Sequence, residues 1–217
     1  PEHSGSNGMK SQETEFQAEW RAQVVRVSGL PLETRETMRL STLKPRRGVK
    51  GLPAALEGAR AFLCQKLAWL TLCGTLGLGK THIAVAIGWE WLEQGRVCRY
   101  AQVGRLLERL RRTYDFTSEQ AFELREPRFE TVFGWYCDTP LLILDDLGTE
   151  KLTDWAAEKL DTLVDYRYIR GLPLVVSTNL LLSELPPRIA DRLQDRRLGR
   201  VVTLSGPSYR TAEVIRG

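Results

Sequence analysis

The run Gly74-Thr75-Leu76-Gly77-Leu78-Gly79-Lys80-Thr81 has the spacing G-x-x-x-x-G-K-[ST]. Glycines at these positions let backbone N–H groups turn inward around a β-phosphate with no Cβ in the way. A lysine directly after the last glycine reaches the β- and γ-phosphates. The hydroxyl that follows it, on Thr81, is a magnesium ligand. The chemistry expected is ATP binding with Mg²⁺, cradled by Gly74, Thr75, Gly77, Leu78, Gly79, Lys80 and Thr81.

A second constellation ends the run Leu141-Leu142-Ile143-Leu144-Asp145-Asp146, four apolar residues closing on two carboxylates. A buried parallel strand delivers its C-terminal residues to the ligand crevice. Asp145 is expected to hold Mg²⁺ through water, and Asp146 to polarise the attacking water as general base. A third apolar run, Leu174-Val175-Val176-Ser177-Thr178-Asn179, also ends in polar residues. Asn179 either hydrogen-bonds the γ-phosphate and the attacking water together or simply opens a turn.

These residues need strands that end at one crevice and helices that cover the strands. Short apolar runs lie at 69–73, 97–103, 141–144, 174–177 and 201–204. Helix-like segments lie between them near 80–94, 103–114, 152–170 and 187–195, and residues 114–140 predict one or two more. Continuous apolar strands separated by helices predict an α/β fold, a parallel sheet covered on both faces. The phosphate run sits between a strand and a helix, as its mechanism requires.

The remaining composition mainly excludes. The 217 residues are 42% hydrophobic and 27% charged, which rules out wholesale disorder. There is no stretch of eighteen apolar residues to cross a membrane, and no basic–apolar–small leader at the N-terminus, so a cytoplasmic chain is expected. Cys64, Cys73, Cys98 and Cys137 form no CxxC pair and read as buried reduced thiols. His3 and His82 alone make no histidine metal site. Net charge is +4, and 24 of the 31 basic side chains are arginine, suited to bidentate work on phosphates.

Residues 1–8, PEHSGSNG, read as a cloning scar. Residues 9–50 read as a lead-in: a helix over 10–28 with Phe16, Trp20, Val24 and Val27 on one face, then an extended stretch over 28–51. Residues 51–217 read as the ATPase domain.

Taken together, GTLGLGKTH, LLILDDLG, VVSTNL, RIADRL and GPSYR resemble, in order and spacing, the AAA+ ATPase module of bacterial helicase loaders of the DnaC and DnaI type. IstB transposition ATPases share this grammar. The resemblance covers roughly residues 30–215. It implies a P-loop nucleotide-binding α/β fold with a central five-stranded parallel sheet flanked by helices, ATP-driven assembly, single-stranded DNA contact and a replicative DNA helicase as partner. It also implies that Arg192 is an arginine finger reaching a neighbouring subunit's ATP, that Arg188 supports that interface, and that Arg210 is a sensor-2 arginine touching its own γ-phosphate. The other reading of the five arginines in 188–200 is a solvated basic surface.

Arg105, Arg109 and Arg112 recur at i, i+4, i+7 in the region where helicase loaders carry their DNA-contacting insertion. They are either a phosphate-neutralising stripe or a solvated helix face. Tyr114, Phe116 and Trp135 either stack on bases or belong to the core. The pattern departs from AAA+ usage at Asp146, where a glutamate is usual, and the side chain is one methylene shorter, so slow hydrolysis is expected. About forty residues precede the module and contain no zinc-ligand set of the DnaI type. The functions expected are an ATP-hydrolysing helicase loader, an IstB-like transposition ATPase, or a nucleotide-gated adaptor with little turnover. A small-molecule kinase fits the paired aspartates, Asn179 and late arginines less well.

Overall fold

The computed structural model describes residues 5–45, 47–114, 118–148 and 153–209. Five strands form one parallel sheet: β1 (Trp69–Gly74), β2 (Cys98–Gln102), β3 (Leu141–Leu147), β4 (Leu174–Thr178) and β5 (Gly199–Leu204). Their spatial order is β2-β3-β4-β1-β5. Each strand falls on an apolar run of the sequence, within a few residues at its ends.

The strands are apolar at nearly every position because both faces are covered. Along β3, Leu141 and Ile143 join one core cluster, while Leu142 and Leu144 join the other. The first cluster lies under α2 (Leu52–Leu63) and α3 (Lys80–Glu93), with Phe62, Ile83, Ile87 and Trp89 filling it. The second lies under α4 (Val103–Tyr114), α6 (Phe129–Asp138), α7 (Asp154–Arg170) and α8 (Pro187–Leu193). The interval before β3 holds the two extra helices expected there, α5 (Ser118–Leu124) and α6.

Buried Arg167 of α7 ties this second layer together. Its guanidinium donates to five backbone carbonyls, those of Tyr136, Cys137, Thr139, Pro140 and Pro173. It thereby joins the C-terminal end of α6, where the helix dipole is negative, to the starts of β3 and β4. Burial lowers its pKa to about 10.

Three expectations are corrected. The face read on the first helix, α1 (Gly5–Ser28), is only partly covered: Val24 is buried, Val27 half-buried and Trp20 41% exposed, and the side chain of Phe16 lies outside the described residues. Among the described side chains of α1, only those of its last turns are buried or half-buried. The helix α2 was not foreseen, and the stretch before it is strapped rather than extended, with a single 3₁₀ turn at Leu32–Thr34. Trp89 Nε1 donates to Thr34 Oγ1 at 3.2 Å, and Arg39 pairs with Glu93 at 2.6 Å, so the strap lies along α3. Finally, Cys64 is exposed, whereas Cys73, Cys98 and Cys137 are buried and free, their thiols pushed up by burial to about 11, 12 and 11.

Candidate functional site

The phosphate loop joins β1 to α3. Gly79 caps α3 with φ +87°, a left-handed conformation that a side chain resists, and no side chain caps the helix. The first-turn N–H groups of this 14-residue helix therefore face the loop, an arrangement suited to an anion. Lys80 is buried and donates at 2.7 Å to the carbonyls of Gly74 and Thr75.

The two carboxylates leave β3 in different directions. The β3–β4 register shifts between Leu144 and Leu147, and Asp146 within that bulge has φ +58°. A bulge of this kind re-aims side chains, and left-handed backbone outside glycine is a strained state that aspartate tolerates. Asp145 is fully buried and accepts from three hydroxyls: Thr81 (3.1 Å, to Oδ1), Ser177 (to Oδ1) and Tyr100 (2.7 Å, to Oδ2). Burial, then the Asp145 charge, push the Tyr100 hydroxyl well above its ordinary range, so it stays a proton donor. Asp146 turns into the open cleft. Its backbone N–H donates to Ser177 Oγ at 3.0 Å, and Asn179 Nδ2 donates to its Oδ1 at 3.4 Å.

Thr81, Asp146 and Asn179 thus meet Lys80 in one cavity of about 470 Å³. Magnesium fits this donor set. A buried carboxylate with hydroxyl partners only, no cation among the described residues, is a costly arrangement that a nearby divalent ion relieves. No cluster of three protein ligands exists among the described residues, so phosphates and water would have to complete an octahedral shell.

The arginines are placed less uniformly. Arg105 and Arg109 line a separate cavity of about 570 Å³ beside α4, and Arg109 lies 5.5 Å from the centre of the Trp135 ring. Arg112 points elsewhere on the exposed side and pairs with Glu126 at 3.2 Å. Tyr114 and Trp135 contact neighbouring aromatics or guanidiniums within the fold; Phe116 lies outside the described residues. Arg192 turns back onto its own chain: it pairs with Asp165 of α7 and donates to the Arg188 carbonyl at 3.2 Å. Arg188 is 78% exposed, with a looser pair to Asp161 at 3.3 Å. Arg210 lies outside the described residues.

A family model described as IstB-like ATP binding protein matches residues 59–214. The chain belongs to this IstB-like family. An insertion-sequence ATP-binding protein of Mycobacterium tuberculosis is 30% identical over 168 residues, 71% of this chain and 63% of the relative. The chain thus spans less than two thirds of that relative's length. Among solved structures, the DnaC helicase loader superposes with a TM-score of 0.64 at 22% identity, over 80% of this chain and 99% of that one. Replication initiator DnaA bound to AMPPCP and single-stranded DNA gives 0.64 at 17% identity, over 82% of this chain and 51% of that one. The IstB-like chain therefore has the P-loop AAA+ fold of these proteins.

Sequence reasoning missed one wall of the IstB-like cleft. Met38, Thr42, Leu43 and Lys44 from the strap, His82 from α3 and Tyr209 from beyond β5 line it. Tyr209 N–H donates to the Gly77 carbonyl at 2.8 Å, and its hydroxyl to the Lys44 carbonyl at 3.1 Å. Ser208 lies so close to Gly77 that a Cβ there would meet its Oγ at 1.9 Å. His82 Nε2 lies 2.8 Å from the Arg39 carbonyl and 3.2 Å from Thr42 Oγ1. No local pattern marks the strap as part of a site, because long-range pairing brings it there. Ser177 and Tyr100 were also missed, although the pair of hydroxyls Ser177-Thr178 ending an apolar strand was a signal for Ser177. Among the described residues, no helix is long and apolar enough to cross a membrane.

Proposed function

We propose that this chain binds Mg-ATP in the P-loop cleft and hydrolyses it. The observation that carries the reading is the convergence of Lys80, Thr81, Asp146 and Asn179 on one cavity, with Asp145 behind Thr81. In this reading Lys80 leaves the loop carbonyls for the β- and γ-phosphates. Thr81 ligates magnesium and Asp145 orients its water. Asp146 takes the proton of the attacking water, which Asn179 helps to hold beside the γ-phosphate. Arg210 contacts the same phosphate in cis, and Arg192 completes the site of an adjoining copy. The shorter reach of aspartate at the base position makes turnover slow.

The energy is spent, in this proposal, on assembly at DNA. Arg105, Arg109 and Arg112 provide the contact with a single strand, in line with the DnaA relative whose structure contains one. The task read from the sequence is loading of a replicative DNA helicase, as for the DnaC relative. The family match and the Mycobacterium tuberculosis relative favour a second reading, an ATPase that assists insertion-sequence transposition. Pull-down of the replicative helicase in ATP against ADP tests the first. ATP-dependent stimulation of a cognate transposase, with no helicase retained in either nucleotide, would replace it by the second. ATP turnover measured with and without single-stranded DNA tests the shared core, since an adaptor without hydrolysis would show none.

A further inference from the structure

Asp145 is enclosed between two side chains that line different cavities. Thr81 lines the P-loop cleft and donates to Oδ1 at 3.1 Å. Tyr100 lines the 570 Å³ cavity and donates to Oδ2 at 2.7 Å. The second cavity has Arg105 and Arg109 on its α4 side, Tyr136 on its α6 side, and Glu33 from the strap. Neither Arg105 nor Arg109 forms an ion pair among the described residues, while Arg39, Arg112 and Arg192 do. Arg109 also lies over the Trp135 ring, just outside this lining, as does Arg99 of β2 at 5.2 Å. Unpaired guanidiniums beside aromatic rings suit a nucleotide unit, the phosphate taken by the fork and the base by a ring.

We propose that Tyr100 couples this cavity to the metal side of the ATP site. The inference rests on the reading of Arg105 and Arg109 as a contact for DNA phosphates. A carboxylate oxygen has about two acceptor positions; Thr81 and Ser177 fill those of Asp145 Oδ1, and Tyr100 takes one on Oδ2, leaving a single position for the water of a magnesium shell. A phosphate oxygen held at Arg105 and Arg109 is a competing anionic acceptor for the phenolic proton of Tyr100. When Tyr100 turns toward it, both acceptor positions of Asp145 Oδ2 are open to the metal's hydration shell. Strand binding therefore tightens divalent-metal binding, and by reciprocity the metal tightens strand binding. Tyr100 acts here through Asp145, as a positioning residue.

The test measures free Mn²⁺ by electron paramagnetic resonance with the full chain and ADP, with and without an oligothymidylate. Oligonucleotide binding is followed in parallel by fluorescence anisotropy. In the unmodified protein the oligonucleotide should tighten Mn²⁺ binding by about fivefold or more. In Tyr100→Phe, which lacks the hydroxyl to redirect, bound oligonucleotide should leave Mn²⁺ affinity unchanged. An oligonucleotide that binds the unmodified protein without altering Mn²⁺ affinity overturns the coupling and leaves the DNA reading standing, whether or not the variant folds. Coupling that persists in Tyr100→Phe also overturns it. An oligonucleotide that does not bind at all removes both readings. Inorganic phosphate in a separate arm distinguishes the sources: a shift with phosphate alone shows that the anion suffices, and a shift only with the oligonucleotide shows that the strand is required.

Discussion

The ammonium of Lys80 lies 2.7 Å from the carbonyl oxygen of Gly74, six residues earlier in the same loop. The lysine is thus held inside the loop by backbone dipoles, at the place where phosphate oxygens would replace them. Swapping neutral carbonyl partners for anionic oxygens is favourable because a full negative charge attracts the ammonium more strongly than a carbonyl dipole does. Lys80→Ala should lower ATP affinity by about tenfold or more, equivalent to about 1.4 kcal/mol. Isothermal titration reads it directly, and unchanged affinity would mean that the loop is not the phosphate site.

Asp145 and Asp146 are neighbours in sequence with opposite surroundings, and their variants should differ accordingly. Asp146→Asn keeps the cleft and the metal side intact, so ATP should bind normally while hydrolysis nearly disappears. Asp145→Asn leaves Asp146 in place and should instead raise the Mg²⁺ concentration needed for ATP binding. A variant Asp146→Asn that hydrolyses ATP at the unmodified rate would remove the general-base role.

The parts of this site that were legible in the sequence are those with a local signature. Gly79 and Lys80 stand at fixed positions between a strand and a helix, and β3 announces its carboxylates by four apolar residues before them. Period-two patterning did not identify faces, because β3 is apolar on both, but that very continuity marked it as a covered parallel strand. What stayed hidden depends on distant pairing. Tyr209 reaches Gly77 only because β5 lies beside β1, and Leu43 reaches Gly79 only because the strap is pinned to α3. The helix α2 lacked a polar side-chain cap, starting instead from Gly51 at φ +84°. Trp20 misled because helical spacing gives a face without saying whether anything covers it.

Arg167 offers a test of the fold apart from the site. Its five carbonyl partners come from the C-terminal end of α6 and from the connections that lead into β3 and β4. Arg167→Leu preserves apolar contact but leaves buried acceptors without their donor, which costs about 1–3 kcal/mol for a buried group and more where several are affected. A loss of about 3 kcal/mol or more in urea unfolding is expected. A loss under about 1 kcal/mol would show that water or local rearrangement satisfies these carbonyls as well as the guanidinium does.

Three arginines on α4 should make single-stranded DNA binding salt-dependent. Neutralising three phosphates on a single strand gives a log–log slope of about −2. The geometry ranks their contributions: Arg105 and Arg109 border an open cavity, whereas Arg112 must first leave Glu126. Replacing either Arg105 or Arg109 alone should flatten the slope more than replacing Arg112 alone. Affinity that is insensitive to salt, or to all three replacements, would remove this surface as the contact.

Arg192 presents two alternatives that the same residue pair can separate. It is paired to Asp165 within its own chain, and its Nε is buried without an acceptor. As a staple between α7 and α8, its removal and that of Asp165 should have the same effect, a modest loss of stability with no change in how activity depends on concentration. As a finger for a neighbouring subunit, it must exchange Asp165 for a γ-phosphate, where its charge stabilises the transition state. Turnover per subunit should then rise with protein concentration, and Arg192→Ala should bind ATP normally yet lose that rise, while Asp165→Asn retains it. Mixing decides the matter. Arg192→Ala keeps the base Asp146, and Asp146→Asn keeps the finger, so some mixed interfaces hold one complete site. Partial recovery of activity that neither variant has alone is expected. If mixed oligomers form and no activity returns, Arg192 serves its own chain, and the ion pair with Asp165 is its resting and only role.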